Sequence, residues 1–135
     1  MVNFREYVTS SGLRVLGGKS AESNDELVDR AGRNDVMLHT SAPGSPFVNV
    51  GENPSKVNLK EAGVFCAKYS QDWRGGKGDV VVNKFFRRDM KKSSLMKSGT
   101  WEVLKQDKIV VKAVDILKFE KILRSETASN EEDLD

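Results

Sequence analysis

Leu59, Ala62, Cys66, Tyr69 and Trp73 follow one another at intervals of three, four, three and four residues, the period of a single helix face. Phe65 widens this stripe. A helix of this kind has to lay its apolar side on a flat apolar partner, and the neighbouring runs can supply one. Upstream, period-two geometry over residues 35–40 puts Val36, Leu38 and Thr40 on one face and Asp35, Met37 and His39 on the other. The first set is the expected core, which leaves His39 at a strand end near a surface or cleft. A Pro-Gly-Ser-Pro turn and a second short strand, residues 47–50, follow. Downstream, residues 79–86 (DVVVNKFF) are rich in β-branched and aromatic side chains and read as a well-buried strand. Asn58 is the expected N-cap of the helix, with Glu61 three residues on, and Gly75-Gly76 its stop.

The ends of the chain read as hairpins. Residues 2–8 and 13–16 flank a Thr-Ser-Ser-Gly turn with Gly12 in place for a positive φ. Residues 99–105 and 108–114 would pair across Gln106-Asp107. Between them, Ser23-Asn24-Asp25-Glu26 fits a capping box that opens a short helix over residues 24–30, burying Leu27, Val28 and Ala31. Residues 115–124 form either a short helix or a continuation of the last strand, and residues 125–135 are expected to be an acidic, disordered tail. The resulting order, ββ-α-β-β-α-β-ββ, has two main helices and too few crossovers for a doubly wound parallel sheet. It predicts a single α+β domain over residues 1–114 with a mixed or mostly antiparallel sheet.

At 135 residues the chain can bury one core. No apolar run approaches the roughly 18 residues of a membrane span, and MVNFREYV lacks the apolar stretch of a secretory signal. The single cysteine, Cys66, excludes an internal disulfide and suits a reducing interior. Set within the apolar stripe, it reads as an inert buried thiol. A cytoplasmic protein is expected, without membrane partners or cofactors. The formal net charge is only +2, but residues 68–112 carry 12 basic and 5 acidic side chains, while residues 113–135 carry 3 and 7. The middle block is an electrostatic footprint for a polyanion, or else a solvated lysine-rich surface.

Asp35, His39 and Ser45 are the three residue types of an acyl-transfer triad. An extended strand, however, holds the Cα atoms of Asp35 and His39 about 13 Å apart, so the aspartate cannot orient that imidazole. Ser45 stands in G-S-P rather than in a nucleophile elbow. One His and one Cys cannot build an ordinary zinc shell, so no metal is expected. Gly17-Gly18-Lys19 could let the backbone approach a phosphate but lacks P-loop spacing. The plain reading of His39 is a ring bonded to a neighbouring carbonyl, and that of residues 43–46 is a rigid turn. The functional reading is a stacking or phosphate-contacting histidine beside a turn whose Gly44 and Ser45 amides meet an anion. Trp73 with Arg74, and the aromatic and basic residues over 84–92, suit RNA or single strands, although Trp73, Phe85 and Phe86 also fit a core.

The ordered set Gly12, Leu16-Gly17-Gly18-Lys19, Asn24-Asp25-Glu26-Leu27, Asp35-Val36-Met37-Leu38-His39, Pro43-Gly44-Ser45-Pro46, Glu61-Ala62 and Cys66-Ala67-Lys68-Tyr69-Ser70 resembles the NFACT-R domain. Val80-Val81-Val82, Lys84 and Ser98-Gly99-Thr100 also match its pattern, so the resemblance spans roughly residues 4–112. It implies an RNA-binding module like that of the large NFACT proteins, which act in ribosome-associated quality control on the large ribosomal subunit with tRNA. With no room for their other domains, the chain resembles the standalone form. Tailing of nascent chains, which depends on those domains, is not implied. Two positions depart from the pattern. Met37 stands where many members have tryptophan, and Pro46 where many have histidine. His39, Gly44, Ser45, Asn24 and Ser70 keep the pattern.

The expected function is therefore non-enzymatic binding of tRNA, rRNA or a ribosomal complex. Its contacts would come from Lys19, Asn24, His39, Gly44, Ser45, Lys68, Ser70, Arg74, Lys84, Arg87, Arg88, Lys91 and Lys92. The alternative is a protein-interaction adaptor docking a translation or tRNA-modification partner through the acidic tail. A small hydrolase, for which His39→Ala would abolish turnover, ranks last.

Overall fold

The computed structural model describes the backbone of residues 3–133 and the side chains of residues 3–127. Strands β1 (Arg5–Val8), β2 (Arg14–Gly17), β3 (Val36–Thr40), β4 (Val48–Gly51), β5 (Val80–Phe86) and β8 (Asp107–Val111) form one sheet in the order β1-β2-β4-β3-β5-β8. Every pairing in it is antiparallel. Strands β6 (Met90–Lys91) and β7 (Glu102–Val103) make a separate two-stranded ribbon. Helices α1 (Ala21–Arg30), α2 (Lys56–Lys68), α3 (Gln71–Gly76) and α4 (Ala113–Asp133) complete the α+β fold. Among the described residues no helix is long and apolar enough to cross a membrane.

The middle of the large sheet is covered on both faces. On one side Leu38, Val48, Val80 and Val82 pack with Phe65, Cys66 and Ala67 of α2 and with Ile116 of α4. On the other, Met37, Phe47 and Phe85 pack with Leu27 and Val28 of α1 and with Met90 of the ribbon. This second core corrects the expectation for Met37. It faces away from Leu38, as the period requires, but α1 and the ribbon cover it completely.

Several boundaries also move. The first capping box is Ser20 with Ser23, a turn before the expected Ser23 with Glu26. Ser20 Oγ accepts from Ser23 N at 3.1 Å, and Ser23 Oγ accepts from Ser20 N at 2.8 Å. The second helix is capped by Ser55, whose Oγ accepts from Asn58 N at 3.0 Å. Glu61, released from capping, accepts from Ser10 N at 2.8 Å and from the Tyr7 hydroxyl at 3.2 Å, tying the first hairpin to α2.

The long apolar stripe is split rather than continuous. Ser70 leaves the helical conformation (φ −91°, ψ 152°), accepts from Trp73 N at 3.1 Å and donates to Ala67 O at 2.7 Å. A serine that caps its own chain offers the backbone an alternative to the helix ladder. The break turns Trp73 inward, where its indole N–H donates to Glu120 at 3.3 Å.

The expected hairpin of residues 99–105 with 108–114 does not form. β8 pairs with β5, Val80 opposite Val111, while Met90 pairs with Val103 in the ribbon. In the ribbon Val103 packs, with its partner Met90, against the second core. The segment after β8 is helix, not strand. α4 starts where Asp79 accepts from Ala113 N at 2.8 Å, and it packs Ile116 and Phe119 against α2 and Tyr7. It runs on to Asp133, through most of the stretch expected to be a tail, because no Gly or Pro interrupts residues 113–133. Leu134 and Asp135 lie outside the described residues.

Candidate functional site

The end of β3, the turn after it, the start of α1 and residues 98–101 surround a cleft of about 600 Å³. His39 lies on its floor, its ring tilted against that of Phe47 at 4.5 Å between centroids, and Phe47 meets Phe85 edge-on. His39 Nδ1 lies 2.7 Å from Thr40 O, an atom that can only accept, so the proton is on Nδ1. Nε2 then carries a lone pair, and among the described residues it has no hydrogen-bond partner. Burial holds the His39 pKa below its ordinary value, and the bond to Thr40 opposes this only in part. The imidazole is thus an uncharged acceptor at neutral pH.

The turn beside it is held from three directions. Ser45 Oγ accepts from Thr40 N at 3.0 Å and donates to Pro46 O at 3.2 Å. Thr40 Oγ1 donates to Ala42 O at 2.7 Å. Gly44 O accepts from Gln71 N at 2.7 Å, which fastens the turn to the break between α2 and α3. Gly44 has φ +88°, and a Cβ there would stand 2.4 Å from Gln71 Cδ, so only glycine fits unstrained. Below the turn, burial pushes the Cys66 thiol up to about 12.

The opposite wall is assembled by one carboxylate. Asp25 of α1 accepts from Trp101 Nε1 at 2.9 Å, Gly99 N at 3.0 Å, Ser98 Oγ at 3.0 Å and Lys92 Nζ at 2.9 Å. Burial raises its pKa, but the bonds from Lys92, Gly99, Trp101 and Ser98 outweigh that and hold it below the usual carboxylate range. One residue earlier, Asn24 Oδ1 accepts from Phe47 N at 3.0 Å. That bond fixes the amide's orientation and leaves its NH2 without a partner among the described residues.

A second cleft, of about 290 Å³, lies across Gly44, Ser45 and Asn24 from the first. Arg5, Lys19 and Arg74 line it, with no Asp or Glu among its described lining residues. The Arg5 guanidinium carbon lies 4.2 Å from the Tyr69 ring centroid, and Arg5 Nε is buried without a hydrogen-bond partner among the described residues. Arg74 Nη1 donates to Tyr69 O at 3.2 Å. Lys19 is exposed.

The structure thus gathers Lys19, Asn24, His39, Gly44, Ser45 and Arg74 around two adjoining clefts. The remaining candidates lie elsewhere. Ser70 is fully buried as a helix cap. Lys68 pairs with Glu120 at 3.4 Å. Lys84 shares Leu38's side of the sheet, away from the His39 cleft. Arg87 donates to Val28 O at 2.8 Å, Arg88 to Asn34 Oδ1 at 3.1 Å, and Lys92 braces the 97–100 loop through Lys97 O and Thr100 O. Lys91 is exposed on the ribbon. Sequence reasoning passed over Arg5 and Trp101. Arg5 reads as an ordinary polar position in an alternating strand. Trp101 carried a signal, an aromatic directly after a basic Gly-containing loop.

The family described as the NFACT protein RNA binding domain matches residues 3–105, which hold every lining residue of both clefts except Gln106. The chain belongs to this family. Over 95 residues it is 34% identical to the Rqc2 homolog RqcH of Bacillus subtilis (strain 168), a match covering 69% of this chain and 16% of that protein. It is 30% identical over 88 residues to the ribosome quality control complex subunit NEMF homolog of Drosophila melanogaster, covering 62% of this chain and 9% of the fly protein. The chain therefore spans less than a fifth of the length of either relative. In structure this NFACT domain is similar to the C-terminal part of the fibronectin/fibrinogen-binding protein from Streptococcus suis. The TM-score is 0.75 at 22% identity, covering 83% of this chain and 46% of that one, a likeness of fold.

Proposed function

We propose that this NFACT domain is a non-enzymatic RNA-binding module of the cytoplasm that serves ribosome-associated quality control by binding tRNA, rRNA or the large ribosomal subunit. The observation that carries the reading is the His39 cleft in a domain of this family. Its floor is aromatic, its wall is held by Asp25, and it presents unbonded polar atoms from Asn24 and His39. Such a surface suits stacked, unpaired bases. A hydrolytic reading has little support from the geometry. Asp35 accepts from Gly32 N at 2.8 Å and Asn49 Nδ2 at 3.0 Å, while Ser45 is occupied by Thr40 and Pro46. With most of the 84–92 cations tied to the protein, phosphate contacts fall to Arg5, Lys19, Arg74 and Lys91. Binding should weaken steeply with salt, as phosphate-dominated binding does. Filter binding with tRNA and with fragments of large-subunit rRNA, from low to physiological salt, tests this. Affinity that falls with salt is expected, and no retention even at low salt overturns the reading.

One observation favours a protein partner as a second reading. Val8, Val57 and Ile122 are each more than half exposed around a groove between the first hairpin, α2 and α4. Substituting Val57 and Ile122 with serine should then abolish partner recovery in a pull-down while RNA retention stays unchanged.

A further inference from the structure

We infer that the two clefts together hold one unpaired nucleotide, its base against the rings of the His39 cleft and its phosphate between Arg5, Lys19 and Arg74. The inference rests on the RNA reading above and narrows it to a class of ligand, a single-stranded segment with an unstacked base.

The division of chemistry between the clefts carries the argument. The first has aromatic walls from Phe47, Phe85 and Trp101 and little charge. Two fixed polar atoms can meet a base edge there, the Asn24 NH2 as donor and His39 Nε2 as acceptor. The Asn24 bond to Phe47 N sets the first, and the His39 bond to Thr40 O sets the second. Gly18 makes the Asn24 placement possible, because a Cβ at that position would fall 1.9 Å from Asn24 Oδ1.

The second cleft has the opposite character. Three cations line it, and no carboxylate stands among its described lining residues to neutralise them. Two of them are held in advance by one residue, Arg5 on the ring of Tyr69 and Arg74 on its carbonyl. Guanidinium forks fixed in this way match the geometry of phosphate oxygens and lose little entropy on binding. The buried Arg5 Nε, without a partner among the described residues, is a donor that a bound anion would satisfy.

Only the Gly44-Ser45 turn, Asn24 and Ala21 separate the clefts, and all four residues line both. Adjoining clefts of these two chemistries can seat a base and its own phosphate. A base seated between protein rings has left its stack, so duplex RNA cannot occupy the site without unpairing.

The test uses the full chain and three probes in NMR titrations: adenosine, inorganic phosphate and adenosine monophosphate. Adenosine should shift amides around His39 and Trp101 alone, phosphate those around Lys19 and Arg74 alone, and the monophosphate both. The double variant Lys19→Gln, Arg74→Gln, two exposed positions, should weaken the monophosphate by about tenfold or more, the loss of charge-assisted bonds. Adenosine should be unaffected. Single-stranded RNA should bind more tightly than a duplex of the same length and lose affinity in that variant. Equal binding of duplex and single strand, or a double variant as tight as the parent, overturns the inference while the RNA reading stands. A protein that retains no RNA at low salt overturns the RNA reading, and the small-molecule titrations then still decide whether the clefts form one nucleotide site.

Discussion

Asp25 and Trp101, 76 residues apart, are joined by a 2.9 Å bond from the indole N–H to the carboxylate, and this contact places one wall of the His39 cleft. The same carboxylate holds Lys92, Ser98 and Gly99, so four positions of the 92–101 segment are tied to α1 through one side chain. The anchor is close-fitting as well as polar. At Gly99 (φ +81°) a Cβ would lie 2.9 Å from Ala21 Cα.

Asp25→Asn should therefore loosen this wall before it unfolds the domain. With its oxygen kept toward Lys92, Gly99 and Trp101, the amide would turn its NH2 group to Ser98 Oγ, losing that acceptor and the negative charge that faces Lys92. Removing a charged acceptor of this kind costs about 1–3 kcal/mol, measurable as a lower urea midpoint. Trp101 should become more exposed while Trp73, which is bonded to Glu120, stays buried, so fluorescence should shift to the red under native conditions. RNA affinity should fall with it. Unchanged emission and affinity would show that the wall does not depend on Asp25.

Most of the sheet was legible because its strands carry their own period. Residues 36–40 and 80–86 and the first hairpin lie where alternation and turn chemistry put them. What the period could not show was the partner on the far side of the sheet. Met37 was placed correctly opposite Leu38, but its burial depends on α1 and on a ribbon built from residues 90–103. The loop between the ribbon's two strands is tied to α1 by Asp25, a contact with no local trace in the sequence. The serines were ambiguous for a related reason. Ser20, Ser23, Ser55 and Ser70 all suit an N-cap, and tertiary packing decides which of them open helices. Of the two clefts, His39, Gly44 and Ser45 stood out as polar residues between apolar runs. The convergence of Arg5 with Arg74 needs the sheet and the α2–α3 break to be built first.

The only histidine gives stability a distinct dependence on pH. Burial lowers the His39 pKa in the folded domain from the ordinary 6.5, so the unfolded chain takes up its proton first. Stability is then fully present above about pH 6.5 and declines as the pH falls through the folded value. The slope cannot exceed about 1.4 kcal/mol per pH unit for one proton. Asp25, Glu61 and Glu120 are also depressed, but from 3.8 and 4.5, so their contributions are lost only in more acidic solution. Urea midpoints from pH 8 to pH 5 should bend near 6.5, and His39→Gln should remove the bend. A flat profile in the parent would mean that His39 is charged as easily in the fold as outside it.

Cys66 should be chemically silent. It is wholly buried, burial pushes its thiol up to about 12, and its Sγ lies 3.8 Å from Pro46 O beneath the turn. The thiolate is the reactive form. A thiol reagent at pH 8 should leave the folded domain unmodified over the time in which it titrates one thiol per chain in denaturant. Rapid reaction of the native protein would refute this.

Ser70 separates a structural role from an RNA-contacting one. Its hydroxyl caps α3 and closes the preceding turn, and it is fully buried. Ser70→Ala should cost about 1–2 kcal/mol, the usual worth of an N-cap. RNA affinity under conditions where the variant is fully folded should match the parent. An affinity loss without a stability loss would place Ser70 at the ligand after all.

Gly44 and Gly12 have nearly the same φ, +88° and +89°, yet a side chain should be felt very differently at the two positions. At Gly12 nothing lies within 4 Å of a new Cβ, so Gly12→Ala should cost only the conformational term, about 1–2 kcal/mol for a left-handed alanine. At Gly44 the same term is joined by a collision with the Gln71 side chain at 2.4 Å. Relief would have to move either that side chain or the turn that Gln71 N holds through Gly44 O. Gly44→Ala should thus be the more destabilising in thermal melts. Gln71→Ala, which removes the obstructing atoms but keeps the backbone bond, should recover the difference and leave the conformational part. Equal costs at both glycines, or no recovery in the Gly44→Ala, Gln71→Ala double variant, would show that the turn is not pressed against α3. Because this turn separates the two clefts, Gly44→Ala should also weaken single-stranded RNA where the Gly12 substitution does not.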